Sequence, residues 1–112
     1  MVAKDIAPLR GHVYRVNFSP TKGHEQGGVR PAVVVSTDEY NRKAGMALIC
    51  PITSKRKGYP FEVDCEVESV AGAILVDQIR ALDWHARSFR HLSVLSEREY
   101  AEVQAKLLTL MQ

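Results

Sequence analysis

The chain has 112 residues, 46% of them hydrophobic and 25% charged, with 15 Lys and Arg against 13 Asp and Glu and a formal net charge of +2. That balance excludes a disordered chain, and with no apolar run near the roughly 20 residues a bilayer requires, a membrane span is excluded too. So mild a basicity does not by itself point to a polyanionic partner.

The length fits one compact domain over residues 1–112, with a small core and room for one site. Met1 to Arg10 carries Lys4, Asp5 and Arg10 without an apolar segment, so it does not read as a secretion signal and a cytoplasmic protein is expected. Gly11 to Phe18 alternates Tyr14, Val16 and Phe18 with Val13, Arg15 and Asn17, the period of a strand. Ser19 to Val29 holds one proline and three glycines with few apolar residues, a loop longer than a hairpin needs, and loops kept that long carry function.

Pro31 to Val35 and Met46 to Ile52 are continuous apolar runs, which predicts strands buried on both faces, with a short helical turn between them in Thr37 to Gly45. Ser54 to Gly58 forms a second charged connection, and Tyr59 to Cys65 alternates as a one-sided strand. Ala73 to Val76 and Gln78 to Leu82 read as further short strands, followed by a helical turn at Asp83 to Arg87. Tyr100, Val103, Leu107 and Leu110 then recur at helical spacing behind a capping box of Ser96 and Glu99, with Leu95 placed to staple against Tyr100. The sum is a mainly β chain with some α, a strongly bent sheet or small barrel with a C-terminal helix.

Cys50 and Cys65 lie in apolar strands without ligand-spaced partners, and His12, His85 and His91 show no metal-binding spacing, so neither a disulfide framework nor a metal site is expected. Arg30, stiffened by the following Pro31, is suited to gripping a phosphate, but alone it reads equally as a surface arginine or a partner of Glu25. Thr53 either caps the turn after its strand or faces a site on the sheet rim. Glu25 can act as a base or hold Arg30, His24 can shuttle a proton, and both can equally be solvated loop residues. Lys55, Arg56 and Lys57, joined by Lys22, Arg30 and Arg80 if the strand ends converge, would make a positive rim for a phosphodiester backbone. Trp84, Tyr59 and Phe61 can stack bases or belong to core and interface.

The run Phe18-Ser-Pro-Thr-Lys-Gly-His-Glu-Gln-Gly-Gly-Val-Arg-Pro-Ala-Val-Val-Val-Ser resembles the first strand, loop and second strand of the MazF/PemK toxin family, and the MazF branch most closely. The match continues through Tyr40-Asn41, Gly45-Met46, Cys50-Pro51-Ile52-Thr53, Lys57 to Val63, Asp77-Gln78 and Trp84 to Arg87. This resemblance implies an SH3-like small β-barrel with short helices and a C-terminal helix. It also implies a homodimer, a cognate MazE-like antitoxin, and sequence-specific cleavage of single-stranded RNA without metal or cofactor. On that basis Arg30 and Thr53 would be catalytic, with Glu25 in support. In the PemK branch a loop histidine, an arginine two residues before Asp-Gln and that aspartate also take part. Here His24 and Asp77 are present, but Leu75 stands at the arginine position.

RNA brings its own nucleophile, the 2′-hydroxyl, so cleavage needs alignment, charge stabilisation and proton transfer. Arg30 would stabilise the pentacoordinate phosphate, Thr53 would hold a phosphate oxygen, and the products would carry a 2′,3′-cyclic phosphate and a 5′-hydroxyl. Lys22, Gln26, Lys55, Arg56, Lys57, Asp77, Gln78 and Arg80 are the candidate RNA contacts. An acidic antitoxin tail would lie over the same surface. The alternatives are a noncatalytic, CcdB-like gyrase-binding toxin on the same barrel, which needs neither Arg30 nor Thr53, and an SH3-like interaction module without activity.

Overall fold

The computed structural model describes residues 6–19 and 28–112. Lys22, His24, Glu25 and Gln26, singled out above, lie outside the described residues. The elements are β1 (His12–Asn17), β2 (Val29–Val34), α1 (Asp38–Ala44), β3 (Met46–Thr53), β4 (Glu62–Val67), β5 (Val70–Leu75), β6 (Arg80–Asp83), β7 (Arg90–Val94) and α2 (Glu97–Met111), with a 3-10 turn at Val76–Gln78. All strand pairs are antiparallel, and they form one curled sheet in the order β4-β5-β3-β2-β1-β7, with β6 against β3.

β3 is the pivot of that sheet. One edge pairs Ile49 to Pro51 with β2, while the other pairs Met46 to Ile49 with β6 and then Ile52 and Thr53 with β5. Two prolines set these limits. Val35 donates its N–H to the carbonyl of Leu48 at 2.9 Å, so by alternation Val33 and Pro31 also turn their nitrogens toward β3. Pro31 has no N–H to give, and the β2–β3 pairing stops at Ala32 opposite Pro51. On the other edge of β3, Pro51 lacks a donor at the point where the strand leaves β6 and takes up β5.

Alternation divides the core between the two faces of the sheet. Val33, Cys50 and Ile52 pack with Val63, Ile74 and Val103 of α2, whereas Ala32, Val34 and Ile49 pack with Phe18, Leu82 and Trp84. Having apolar neighbours on both sides is why β2 and β3 read as unbroken apolar runs. Both cysteines are buried and free; burial pushes each thiol up to about 12, with Asp77 adding to the effect at Cys50 and Glu99 at Cys65.

Helix α1 starts where the Thr37 hydroxyl accepts the N–H of Tyr40 and stops at left-handed Gly45. Its Asn41 is fully buried and fully occupied: the amide donates to the carbonyl of Pro8 at 2.8 Å, its side-chain oxygen accepts from Ser36 Oγ, and its carbonyl accepts from Trp84 Nε1 at 2.9 Å. α2 carries the expected capping box of Ser96 and Glu99, and Leu95 and Tyr100 share one core. Glu99 does a second task, because its other oxygen accepts the N–H of Glu66 on the edge strand β4 at 3.0 Å.

The sequence pattern is corrected in four places, the first being that Val76 and Gln78 belong to the 3-10 turn rather than to strands, so that β6 runs from Arg80 to Asp83. Residues 59–61 turn before β4 begins at Glu62, the turn closing through Glu62 N to the carbonyl of Tyr59 at 3.1 Å. β5 starts at Val70, and Arg90–Val94, which had no strand assigned, pairs with β1 as the edge strand β7. The helical turn after Asp83 forms as expected, with Asp83 Oδ1 accepting from the backbones of His85 and Ala86 at 3.0 Å.

The β4–β5 hairpin turns on Glu68 and Ser69, both at positive φ (50° and 66°), where a two-residue turn of primed type favours Asn-Gly. Replacing Glu68→Asn together with Ser69→Gly is expected to stabilise the fold by about 1 kcal/mol, measured by urea denaturation. On β1 and β7, His12 Nδ1 and His91 Nε2 meet at 3.0 Å. Burial, and then His91, lower the pKa of His12, with Asp38 opposing. The His12 contribution to stability is therefore complete above the unfolded value of roughly 6.5 and is lost as pH falls through the lower folded value. Urea midpoints at neutral and mildly acidic pH should diverge less in His91→Gln; an identical divergence would remove this pair as the cause.

Candidate active site

Arg30 is the second residue of β2, held by its pairing with Val16 of β1. Thr53 ends β3, 7% exposed, held by its pairing with Ala73 of β5. If the β2–β3 register ran two residues further, Arg30 would stand opposite Thr53. The ladder stops at Ala32 opposite Pro51, so Arg30 and Thr53 lie just beyond its open end, each on its own strand.

Two hollows lie at that end. The larger, a groove of about 530 Å³, is walled by Lys55, Lys57, Tyr59, Phe61 and Glu62 of the β3–β4 connection and by Leu75, Asp77 and Gln78. The smaller, of about 260 Å³, runs the other way past Arg15 and Pro31 to Glu68, Val70 and Gly72. Arg30, Thr53 and Ser54 are common to the linings of both hollows.

The turn-cap reading of Thr53 holds. Its Oγ1 accepts the N–H of Lys55 at 3.1 Å, the turn bond that caps the strand, and the same residue lines the groove. Accepting that bond fixes the oxygen and leaves the hydroxyl hydrogen to donate to an anion. Ser19 and Gly28 tie the base of the loop that precedes Arg30: Gly28 N donates to Ser19 Oγ at 3.0 Å, and Arg87 Nη1 donates to the carbonyl of Ser19. The loop is thus pinched at its root, two residues from Arg30.

Of the predicted contacts, Arg30, Thr53, Lys55, Lys57, Asp77 and Gln78 come together at the groove. Arg56 instead pairs with Asp64 at 3.0 Å, and the Arg80 guanidinium lies over the Phe18 ring at 5.8 Å, its Nη1 buried and without a hydrogen-bond partner among the described residues. Tyr59 and Phe61, 57% and 40% exposed, turn their rings to the groove rather than the core, where they can stack on bases. Sequence reasoning missed Glu62, Arg15 and Gly72. Gly72 did leave a signal, since an isolated glycine in a strand marks close backbone approach. Among the described residues no group of three His, Cys, Asp or Glu side chains is arranged to hold a metal ion.

A polar hollow lined by Arg30, Lys55 and Lys57 beside Glu62 and Asp77 thus lies at the end of a two-strand ladder, on a curled antiparallel sheet with a C-terminal helix. Residues 9–111 match the profile of the PemK-like, MazF-like toxins of type II toxin-antitoxin systems, and the chain belongs to that family. It is 41% identical over 111 residues to the endoribonuclease toxin MazF of Escherichia coli strain K12, covering 99% of both chains, and 31% identical over 107 residues to the E. coli endoribonuclease PemK, covering 91% of this chain and 80% of the other. Among solved structures it is similar to MazF from Deinococcus radiodurans, with a TM-score of 0.87 and 44% identity, covering 94% of this chain and 96% of that one. It is also similar to a chain of a MazE–MazF complex from the same organism, with a TM-score of 0.82 and 42% identity at the same coverage.

A Cβ at Gly72 would lie 2.8 Å from the carbonyl oxygen of Thr53 and 3.3 Å from Ile52 Cγ2. Gly72→Ala should therefore force β5 from β3, destabilising the chain by about 1–3 kcal/mol and shifting the backbone amide resonances of Thr53 and Ser54. An unchanged melting temperature with unshifted resonances would mean that the methyl group is accommodated without moving the strands.

Proposed function

We propose that the chain is the endoribonuclease toxin of a type II toxin-antitoxin pair, cutting single-stranded RNA at a short sequence by attack of the 2′-hydroxyl. The observation that carries this reading is that Arg30 and Thr53 line one hollow together with Lys55, Lys57, Asp77 and Gln78. Family membership and the endoribonuclease relatives support the activity, and the complex from D. radiodurans supports a MazE-like antitoxin as partner.

In this mechanism the scissile phosphate sits between Arg30 and Thr53, with the RNA running into both hollows. The 2′-oxygen forms a bond to phosphorus, the bond from phosphorus to the 5′-oxygen breaks, and the products end in a 2′,3′-cyclic phosphate and a 5′-hydroxyl. Arg30 neutralises charge on the pentacoordinate phosphate, and Thr53 donates to a phosphate oxygen. An arginine, with a pKa above about 12, is a poor proton donor, so its role is electrostatic. For Glu25 and His24 we propose support in orienting Arg30 and carrying the protons. Lys55 and Lys57 hold phosphates, Tyr59 and Phe61 stack bases, and Asp77 and Gln78 read base edges. Arg56 and Arg80 do not line the larger hollow, and for Lys22 and Gln26 we propose further contacts to the RNA.

No step needs a metal, because the substrate supplies the nucleophile. We further propose a homodimer acting in the cytoplasm and held inactive by an acidic antitoxin segment over the Arg30 groove. Among the described residues no helix is long and apolar enough to cross a membrane. A gyrase-binding barrel toxin is not favoured, since it has no use for the Arg30 and Thr53 placement.

The test is cleavage of a defined single-stranded RNA in EDTA. Wild-type chain should cut it, Arg30→Ala should lose at least about a thousandfold in rate, and Thr53→Val about a hundredfold, in line with the removal of one transition-state donor. RNA left intact by excess wild-type protein, or cut equally by Arg30→Ala, would refute the assignment.

A further inference from the structure

We infer that Lys106, on the C-terminal helix, is a positioning residue that holds the groove wall and thereby sets which RNA sequences are cut. The inference rests on the ribonuclease reading for its second half only.

Residues 54–61 join β3 to β4 without regular structure, yet they supply Lys55, Lys57, Tyr59 and Phe61 to the larger hollow. A segment of that kind has no ladder to hold it. Besides Thr53, which accepts from Lys55 N, and Asp64, which pairs with Arg56, two side chains hold it. Glu62, the first residue of β4, turns its carboxylate back into the connection: Oε1 accepts the N–H of Lys57 at 3.1 Å and of Gly58 at 3.0 Å, and Oε2 lies 3.2 Å from the same Lys57 nitrogen. Lys106 then grips the far end, donating from Nζ to the carbonyl of Pro60 at 2.7 Å and to that of Glu62 at 2.9 Å. These are charge-assisted bonds, the stronger kind.

Lys106 can do this because the helix beneath it is anchored to the sheet at two points. Val103, three residues earlier on the same face, is fully buried, and Glu99 ties the first turn of α2 to the β4 backbone. Glu102 lies 3.9 Å from the Lys106 ammonium, one turn back. The ammonium is thus a strut from an anchored helix to an irregular loop across 44 to 46 residues of sequence. None of its contacts reaches Arg30 or Thr53, so its effect falls on the shape of the wall rather than on the reacting phosphate.

Lys106→Met keeps the aliphatic stem and removes the donors, while Lys106→Arg keeps two donors. In the RNA-free protein, amide exchange at Lys57 and Gly58, and tryptic cutting after Lys55, Arg56 and Lys57, should rise about tenfold or more in Lys106→Met and return most of the way in Lys106→Arg. Glu62→Gln should accelerate the same amides. With RNA, Lys106→Met should raise KM and broaden the set of sequences cut, with kcat on the preferred sequence changed less than about threefold. Unchanged exchange in a folded Lys106→Met would overturn the strut. Faster exchange with an unaltered cut-site profile would overturn the link to selectivity. A wild-type chain that cuts no RNA, but whose loop still loosens in Lys106→Met, would leave the strut standing and refute the ribonuclease reading.

Discussion

The site exists because of one missing hydrogen-bond donor. Pro31 turns its nitrogen toward β3 and has nothing to give, so the β2–β3 ladder ends where two more rungs would otherwise bring Arg30 and Thr53 into a closed sheet. A closed ladder would set their side chains side by side on a sheet surface. The open ladder leaves two hollows lined by both residues, and each residue is still anchored by its other neighbour, Arg30 by β1 and Thr53 by β5. The fold thus places two polar side chains at a break in its backbone pairing while keeping both backbones rigid. Pro51 does the matching work on the far edge of β3, where the strand changes partners and the sheet curls.

Around that gap the polar groups divide by task. Glu62, Lys106, Glu99 and Arg87 spend their charge on backbone groups of the chain itself, fixing loop, helix and loop root. Lys55 and Lys57 are left at the groove. The cysteines contribute nothing reactive, since burial holds both thiols protonated throughout the physiological range. The chemistry therefore falls on a guanidinium, a hydroxyl and the substrate itself.

Much of this was legible from sequence because it depends on local pattern. The capping box at Ser96 and Glu99, the unbroken apolar runs of β2 and β3 and the pairing of a proline with Arg30 and another near Thr53 are all short-range signals. The hidden parts are long-range. Lys106 reads as one more charge on the polar face of a helix, and only the docking of α2 on β4 aims it at Pro60. Glu62 reads as the outward residue of an alternating strand, but it bends back to bind two amides. Strand β7 escaped because Arg90 to Val94 has little apolar alternation, as an edge strand with few buried positions does not need it. Arg56 and Arg80 show the converse: charge in the right stretch of sequence says nothing about direction, and one turns to Asp64, the other to Phe18.

The order in which the groove is completed follows the order of synthesis. Its centre comes from residues 30 and 53 and its wall from 54–62 and 75–78, but the strut that holds that wall is residue 106 of 112. A growing chain still threaded through the ribosome owns the centre without the strut. The wall takes its final shape only once α2 has docked on β4 and brought Lys106 to the carbonyls of Pro60 and Glu62.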